Sequence, residues 1–175
     1  VTWPARLQRL SVGPLHAYVG AGTEIWLDGG HNVGASQAIA KAMSAFESSG
    51  LHLILGMMDT KDAAAALAPF KGLVSTVYAV PIPNEGNAHS AESLASLASA
   101  EGFVASVASS VPEALRMSQA ASRGPRQILI FGSLYLAGHV LKLHSTERTY
   151  FAKALSLARS VPAAARASGA FSALG

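Results

Sequence analysis

The sequence predicts an α/β domain in which a mostly parallel sheet is covered by helices on both faces. Runs with strand propensity alternate with helical periods along most of the 175 residues. The later strand runs are almost entirely apolar, as are strands that are buried on both faces. The two N-terminal runs lie too close together for a crossover helix, which predicts an antiparallel element at one edge. These features together indicate a three-layer, Rossmann-like α/β fold class.

The first part of the chain predicts short strands followed by a helix. The runs "LQRLSV" and "LHAYVG" flank a Gly13-Pro14 turn and are interpreted as two strands, and "EIWLD" follows a second glycine turn as a third. The hydrophobic period then becomes helical, and Gly50 closes the helix. Its apolar face consists of Ala35, Ile39, Ala42, Met43 and Phe46.

The later part continues the alternation of strands and helices. In chain order we expect a strand in "LHLILGM", a helix over 62–70, a strand in "STVYAVPI", a helix from Ser90, a strand in "FVASVA", a helix from Ser110 to about Gly124, a strand in "QILIFGS" and a helix in "LYLAGHVLKL". Ser110 and Glu113 have the spacing of a capping box, with a proline in the first turn. We expect residues 1–148 to form one domain and residues 149–175 a partly helical tail that is loose after Pro162.

Composition and charge exclude several classes of protein. Half of the residues are hydrophobic and 13% are charged, so the chain can bury one good core. No uninterrupted apolar stretch approaches the roughly 20 residues that span a bilayer. The net charge is +3, but the sequence lacks the clustered basic residues with interleaved aromatics that a nucleic-acid-binding surface needs. We therefore expect a protein that binds neither membrane nor nucleic acid. Because there is neither a cysteine nor a signal-like start, we also expect it to be cytoplasmic.

Glycines and polar groups follow three of the predicted strands, at the edge where open α/β sheets bind ligands. Glycine lets the backbone approach a ligand, and the first amides of a helix favour an anion. The segments are Asp28-Gly-Gly-His31-Asn32, Gly56-Met-Met-Asp59-Thr-Lys61-Asp62 and Gly132-Ser133-Leu-Tyr135.

Each segment also has a purely structural interpretation, in which its polar residue caps a helix. The candidate caps are Asp28 or Asn32, Asp59 or Thr60, and Ser133. Three such junctions together favour a site, so we expect one cleft at this edge. Its predicted border consists of Asp28, His31, Asp59, Lys61 and Ser133.

These segments resemble a known family. "LDGGHNVGASQAI", "LILGMMDTKD" and "ILIFGSLYLAGHVL", in this order and after "WPARLQRL", are similar to the C-terminal domain of the folylpolyglutamate synthase and dihydrofolate synthase family, a group of Mur-type amide ligases. The resemblance covers about Trp3 to Leu143. Where that family typically has Gly, Ala, Pro and an acidic residue, this chain has Ala5, Gly30, Val33 and Thr60. These departures leave the charged groups in place and affect only the local loop geometry.

The resemblance implies an ATP-dependent ligase of folate biosynthesis and one-carbon metabolism. Such an enzyme activates the carboxylate of dihydropteroate or a folate such as tetrahydrofolate as an acyl phosphate, which the amino group of L-glutamate attacks. On the matching positions, the resemblance implies that Arg6 reaches the ATP phosphates and that Asp28 holds the nucleotide at the ribose. His31 is the implied catalytic residue and, with Ser133, lies by the glutamate and the reacting carboxyl. Lys61 and Tyr135 are further substrate-binding candidates.

The sequence contains no Gly-x-x-x-x-Gly-Lys-(Ser/Thr) loop for phosphates. The family carries that loop in an N-terminal domain, so we expect this chain to be a C-terminal part whose partner is its own P-loop domain. Mg²⁺ would be held mainly by that domain, because the six histidines show no ligand-like pairing and there are no thiols. We expect the isolated chain to be inactive and the protein to be a monomer.

Two alternatives remain open. One is the C-terminal domain of a Mur-type ligase that adds amino acids to peptidoglycan precursors, although such enzymes usually lack "GSLYLAG" and "DTKD". The other is a free-standing nucleotide-binding module that has no P-loop partner.

Overall fold

A computed structural model of the protein describes residues 5–45, 50–122, 124 and 126–145. The predicted tail over 149–175 lies outside these described residues. The strands are β1 Gln8–Arg9, β2 Glu24–Asp28, β3 Leu51–Leu55, β4 Val74–Ala79, β5 Ala105–Val107 and β6 Gln127–Phe131. The helices are α1 Val33–Met43, α2 Ala63–Leu67, α3 Ala91–Ala100, α4 Val111–Ala120 and α5, which occupies 134–145.

The strands form one mixed sheet in the order β1-β2-β6-β3-β4-β5. The β1 strand is antiparallel to β2, and the other neighbouring strands are parallel. Every residue of the central strands β3 and β6 is buried, as their continuous apolar sequences predicted. The predicted α/β class, with a mostly parallel sheet and an antiparallel edge element, is therefore confirmed.

Two hydrophobic cores lie on opposite faces of the sheet. One contains the inward face of α1 to α3, where Phe70 packs against Phe131 with ring centroids 5.5 Å apart. The other contains α4 and α5, with Leu115, Leu136 and Val140 fully buried. Each large apolar side chain that is fully buried contributes about 1.5–3 kcal/mol, so the sheet is stabilised from both sides. Among the described residues, no helix is long and apolar enough to cross a membrane.

The N-terminal segment differs from its prediction. The run "LHAYVG" is not a strand, because Pro14–Tyr18 forms a short 3₁₀ helix. Proline in the first helical turn has no amide proton to leave unsatisfied, and the Gly13 amide donates to His16 Nδ1 at 3.3 Å. Leu15 is fully buried and packs this helix against the protein core. The antiparallel partner of β1 is consequently β2, and no hairpin forms across the Gly13-Pro14 turn.

Side-chain caps start the helices that follow the sheet strands. The capping residues Asn32, Asp62, Ser90 and Ser110 each accept the amide proton of the residue three positions later. The α2 cap is thus Asp62, so the alternative caps Asp59 and Thr60 are wrong. The α4 helix ends at Ala120, short of the predicted Gly124, and its final turn closes on the carbonyl of Met117.

A buried polar cluster joins His52 of β3, Ser118 of α4 and Arg126, the residue before β6. His52 is 7% exposed, and its Nδ1 lies 2.8 Å from Ser118 Oγ. The guanidinium of Arg126, with Nη1 3.4 Å from His52 Nε2, is itself buried. Burial, and then the charge of Arg126, lower the pKa of His52 to about 4. The imidazole is therefore neutral in the folded protein near neutral pH.

This pKa predicts that the free energy of unfolding falls as the pH drops from about 6.5 to about 4. In that window the unfolded chain protonates His52 while the folded chain does not, which costs on the order of 3 kcal/mol. Urea denaturation at a series of pH values measures the loss. The matched variant His52→Asn keeps a polar partner for Ser118 but does not titrate, so its pH slope should be shallower. Equal slopes for the two proteins would contradict the buried neutral imidazole.

Candidate functional site

Three strands end level at the carboxyl edge of the sheet. Phe131, the last residue of β6, is in register with Asp28 of β2 on one side and with Leu55 of β3 on the other. The segments that follow these strands therefore leave from one edge, as the sequence predicted. Such an edge is where open α/β sheets bind ligands.

Gly132 allows β6 and β3 to remain close where they end. Its φ is 122°, a conformation that L side chains rarely adopt, and a Cβ there would lie 2.5 Å from the carbonyl oxygen of Gly56. The Gly56 amide in turn donates to the carbonyl of Phe131 at 3.2 Å. This contact fixes the start of both loops.

The carboxylate of Asp28 is bound to backbone on both sides. Its Oδ2 accepts the Leu7 amide and its Oδ1 accepts the Gly30 amide, each at 2.6 Å. The residue is only 7% exposed, and a buried carboxylate needs such partners. Asp28 thereby joins the loop before β1 to the turn after β2. Of the two candidate caps for α1, Asp28 and Asn32, it is Asn32 that caps the helix.

Arg6 lies on that loop in an exposed position. Its neighbours Ala5 and Leu7 have φ values of 58° and 39°, in the left-handed region that costs a non-glycine residue roughly 1–2 kcal/mol. The amide of Gly29 donates to the carbonyl of Ala5 at 2.8 Å and adds a second tie to the turn. Arg6 therefore lies between two residues with strained backbone conformations.

A cavity of about 700 Å³ opens between this loop, the turn after β2 and the start of α1. This volume is within the range of small-molecule sites. It brings together Arg6, Asp28 and His31, the residues that were predicted from two separate motifs. The lining residues are Ala5, Arg6, Leu7, Asp28, Gly29, Gly30, His31, Asn32, Ala35, Ala38, Ile39 and Leu134.

His31 is half-buried in the wall of this cavity, with its Nδ1 3.4 Å from the carbonyl oxygen of Gly29. Beside it, Ala35, Ala38 and Ile39 of α1 give the cavity an apolar side. The site thus combines an arginine, an imidazole and an apolar wall, which suits a ligand with both charged and apolar parts.

The other predicted residues lie at the same edge but do not line this cavity. Ser133 is 2% exposed, and its Oγ accepts the amide proton of Tyr135 at 3.1 Å, as expected for a residue at a helix start. Tyr135 is 58% exposed, so it is not a core tyrosine. Asp59 and Lys61 are exposed on the loop after β3. The predicted common cleft therefore includes Asp28 and His31, whereas Asp59, Lys61 and Ser133 lie outside it.

Leu134 is a lining residue that the sequence interpretation missed. It is 61% exposed, and a Cβ at Gly29 would lie 2.5 Å from its Cδ2. An exposed leucine at a helix start was the available signal, but its contact with Gly29 depends on the adjacency of β2 and β6.

Among the described residues, no group of three or more histidines and carboxylates is arranged to hold a metal ion.

Comparison with known proteins identifies the family. Residues 12–134 match the family described as Mur ligase, glutamate ligase domain. The chain belongs to this Mur ligase family. It is similar to the folylpolyglutamate synthase of Lacticaseibacillus casei, with 34% identity over 141 residues that make up 79% of this chain and 29% of the relative.

A second relative is the dihydrofolate synthase/folylpolyglutamate synthase of Escherichia coli strain K12, with 26% identity over 83% of this chain and 32% of the relative. The fold is similar to that of a bifunctional folylpolyglutamate synthase/dihydrofolate synthase solved with Mn, AMPPNP and L-glutamate. That comparison gives a TM-score of 0.63 at 22% identity and covers 81% of this chain and 31% of the other. The Mur ligase domain described here thus spans about a third of the length of these relatives.

The contact between Gly132 and Gly56 predicts a large effect of a single methyl group. Gly132→Ala should lower the free energy of unfolding by on the order of 3 kcal/mol, because it adds backbone strain and a clash with a carbonyl oxygen. Thermal melting of the purified chain measures the change. The control is Gly138→Ala in α5, where a Cβ meets nothing within 4 Å and where alanine should stabilise the helix by about 0.5–1 kcal/mol. Equal melting temperatures for the two variants would contradict the close approach of β6 and β3.

Proposed function

We propose that this chain is the C-terminal domain of an ATP-dependent ligase that adds L-glutamate to dihydropteroate, to a folate, or to both. The observation that carries the proposal is the convergence of Arg6, Asp28 and His31 on one cavity in a member of the Mur ligase family. The names of the two relatives support the folate substrates over a peptidoglycan precursor.

The nucleotide is proposed to bind at the end of the cavity formed by Arg6 and Asp28. The exposed guanidinium of Arg6 is suited to phosphate oxygens, since arginine offers paired donors and keeps its charge. ATP supplies the phosphoryl group that converts the acceptor carboxylate into an acyl phosphate. An arginine at the phosphates offsets negative charge as that group is transferred.

His31 is proposed to act at the glutamate end. A half-exposed imidazole can donate to a carboxylate of glutamate or take the proton that the amine loses when it attacks the acyl phosphate. Ser133, Tyr135 and Lys61 are proposed substrate contacts at the same edge. Of these, Tyr135 is the most accessible with its 58% exposure, whereas the Ser133 hydroxyl already accepts a backbone amide.

The phosphate loop and the divalent cation are assigned to a separate N-terminal domain. The sequence has no P-loop, and the described residues contain no group of three or more histidine, aspartate or glutamate side chains that could hold a metal ion. Asp28, whose carboxylate lines the cavity, already accepts hydrogen bonds from two backbone amides. We therefore propose that Mg²⁺ and the P-loop come from that partner domain, in a cytoplasmic, monomeric enzyme.

The isolated chain is consequently predicted to bind ATP weakly and not to hydrolyse it. Without a P-loop the γ-phosphate and the cation are not positioned for transfer. The measurement is ADP formation by the pure chain in the presence of Mg²⁺, dihydropteroate or tetrahydrofolate, and glutamate. ADP formation by the chain alone, at a rate proportional to its concentration, would rule out the proposal that the P-loop and the Mg²⁺ site lie in a separate domain.

In the ligase that carries this chain behind a P-loop domain, His31→Ala is predicted to lower kcat by ~10² while leaving the melting temperature nearly unchanged. Arg6→Ala should raise KM for ATP more than KM for glutamate, because its guanidinium serves the phosphates. His139→Ala is the matched histidine control, since His139 lies on α5 outside the cavity.

Steady-state kinetics and thermal melting on the three variants test these roles. Normal kcat in folded His31→Ala would remove this residue from the catalytic site. Glutamate ligation to a peptidoglycan precursor, with no reaction of dihydropteroate or tetrahydrofolate, would instead overturn the proposed substrate class.

A further inference from the structure

A second cavity lies at the amino end of β2, at the edge of the sheet opposite the proposed ligand site. It has a volume of about 640 Å³ and is bounded by residues 9–12, His16 and residues 19–24. Part of its wall is apolar, because it includes Val12, which is 87% exposed, and the half-buried Val19. An apolar wall that opens to solvent is suited to apolar side chains from another segment.

The helix α5 brings the chain to this cavity. A helix over 134–145 spans roughly 18 Å, enough to return from the carboxyl edge of the sheet to the opposite edge. Near its end, the buried His144 has its ring centroid 6.0 Å from that of His16, a residue of the cavity wall. A Cβ at Gly13 would lie only 2.7 Å from His144 Cε1. The chain therefore leaves α5 beside the second cavity.

The sequence that follows α5 is amphipathic at helical spacing. Residues 149–161 lie outside the described residues, but their sequence places four apolar residues at i, i+3, i+4 and i+7: Phe151, Ala154, Leu155 and Ala158. The opposite face of such a helix carries Thr149, Lys153, Ser156 and Ser160. A helix of this length is marginal alone in water, so it needs a surface against which its apolar face can pack.

The second cavity is the apolar surface nearest to the start of this segment. The connection over 146–149 reaches at most about 14 Å when extended, so the segment begins within reach of the cavity. Other exposed apolar side chains lie farther from the end of α5. They are Val33, Leu134 and Tyr135 at the carboxyl edge, and Val104 and Val107 at β5, the last strand on the far side of the sheet.

We propose that residues 149–161 form a helix whose apolar face packs in the second cavity, with Phe151 and Leu155 against Val12 and Val19. Because the segment belongs to the same chain, it meets the cavity at a high effective concentration. This docking is independent of the proposed ligase activity.

The docked helix covers residues 10–12 and so stabilises the attachment of β1. This strand has only two residues, and its pairing with β2 is extended by the Leu10 amide, which donates to the Ile25 carbonyl at 2.8 Å. Covering residues 10–12 removes water from one side of this hydrogen bond. The segment that carries Arg6 precedes β1, so it is held to the sheet by the same contact.

A single spin label tests the docking in the full chain. The sequence contains no cysteine, so Ser156→Cys can carry a nitroxide on the polar face of the segment. The nitroxide should broaden the ¹⁵N-amide signals of Val12 and Val19 and spare that of Leu134 at the opposite edge. Val12 and Val19 signals as sharp as that of Leu134 would overturn the proposal.

Two matched variants of the labelled chain test which face docks. Phe151→Ser removes an apolar side chain and should abolish most of the broadening at Val12. Lys153→Ser, on the polar face, should leave it unchanged. Broadening that survives Phe151→Ser would contradict the predicted contact.

A mixed sample distinguishes this segment from that of a second copy. It combines ¹⁵N-labelled chain without nitroxide and unlabelled chain that carries it. Docking within one chain predicts sharp Val12 and Val19 signals in this mixture. Broadening there would place the segment of a second copy in the cavity and would overturn docking within the chain.

Amide hydrogen exchange tests the effect on β1. In a chain that ends at Arg148, the Leu10 amide should exchange about 10-fold faster than in the full chain. The Gly56 amide, which donates to Phe131 in the middle of the sheet, should be unchanged. If the shortened chain does not fold, Val12→Ser in the full chain replaces it, because this exposed position contributes little to the rest of the fold. Equal Leu10 exchange in the folded variant and the full chain would overturn the stabilisation of β1.

Discussion

The register of β2, β6 and β3 is the constraint on which the rest of the site depends. Parallel pairing places Asp28, Phe131 and Leu55 side by side, so three chain segments turn away from the sheet at the same level. The buried residues of β3 and β6 hold this register, because a shift by one residue would exchange side chains between the two cores and disrupt the packing of both. The position of the Arg6 loop follows from the same register, since β1 pairs with β2 and brings the loop to Asp28.

The packing of the two cores stabilises the fold enough to tolerate an unfavourable backbone conformation in the Arg6 loop. The two cores bury large side chains on both faces of the sheet, which offsets the strain at Ala5 and Leu7 and the burial of the Asp28 carboxylate. Strain of this kind is found where a side chain must be presented in one geometry. The consequence is that the arginine and the imidazole line one cavity of this domain.

Much of the fold could be predicted from the sequence because its strands are continuously apolar and its helix caps are local signals. Asn32, Ser90 and Ser110 cap their helices as short-range patterns indicate. The run "LHAYVG" was misinterpreted because its apolar residues fit a strand as well as a helix, and the effect of Pro14 on the first turn decided between them.

The site was predictable only in part. The motifs placed Asp28 and His31 at one edge, and Arg6 entered only through the family resemblance. They could not show that the carboxylate is bound to Leu7 and Gly30, since both contacts depend on the folded loop. Positive φ at alanine and leucine has no sequence signal, because glycine and asparagine are the residues that normally indicate it.

A chemical-shift titration of the ¹⁵N-labelled chain with ADP tests most directly the proposed binding of the nucleotide in the cavity at the carboxyl edge. Binding there predicts concentration-dependent shifts of the amides of Arg6, Gly30, His31 and Leu134, which line the cavity. A second cavity, of about 640 Å³ around residues 9–12 and 19–24, lies at the opposite edge of the sheet and provides the contrast. Shifts confined to that second cavity, with none around Arg6 and His31, would contradict the assignment of the site.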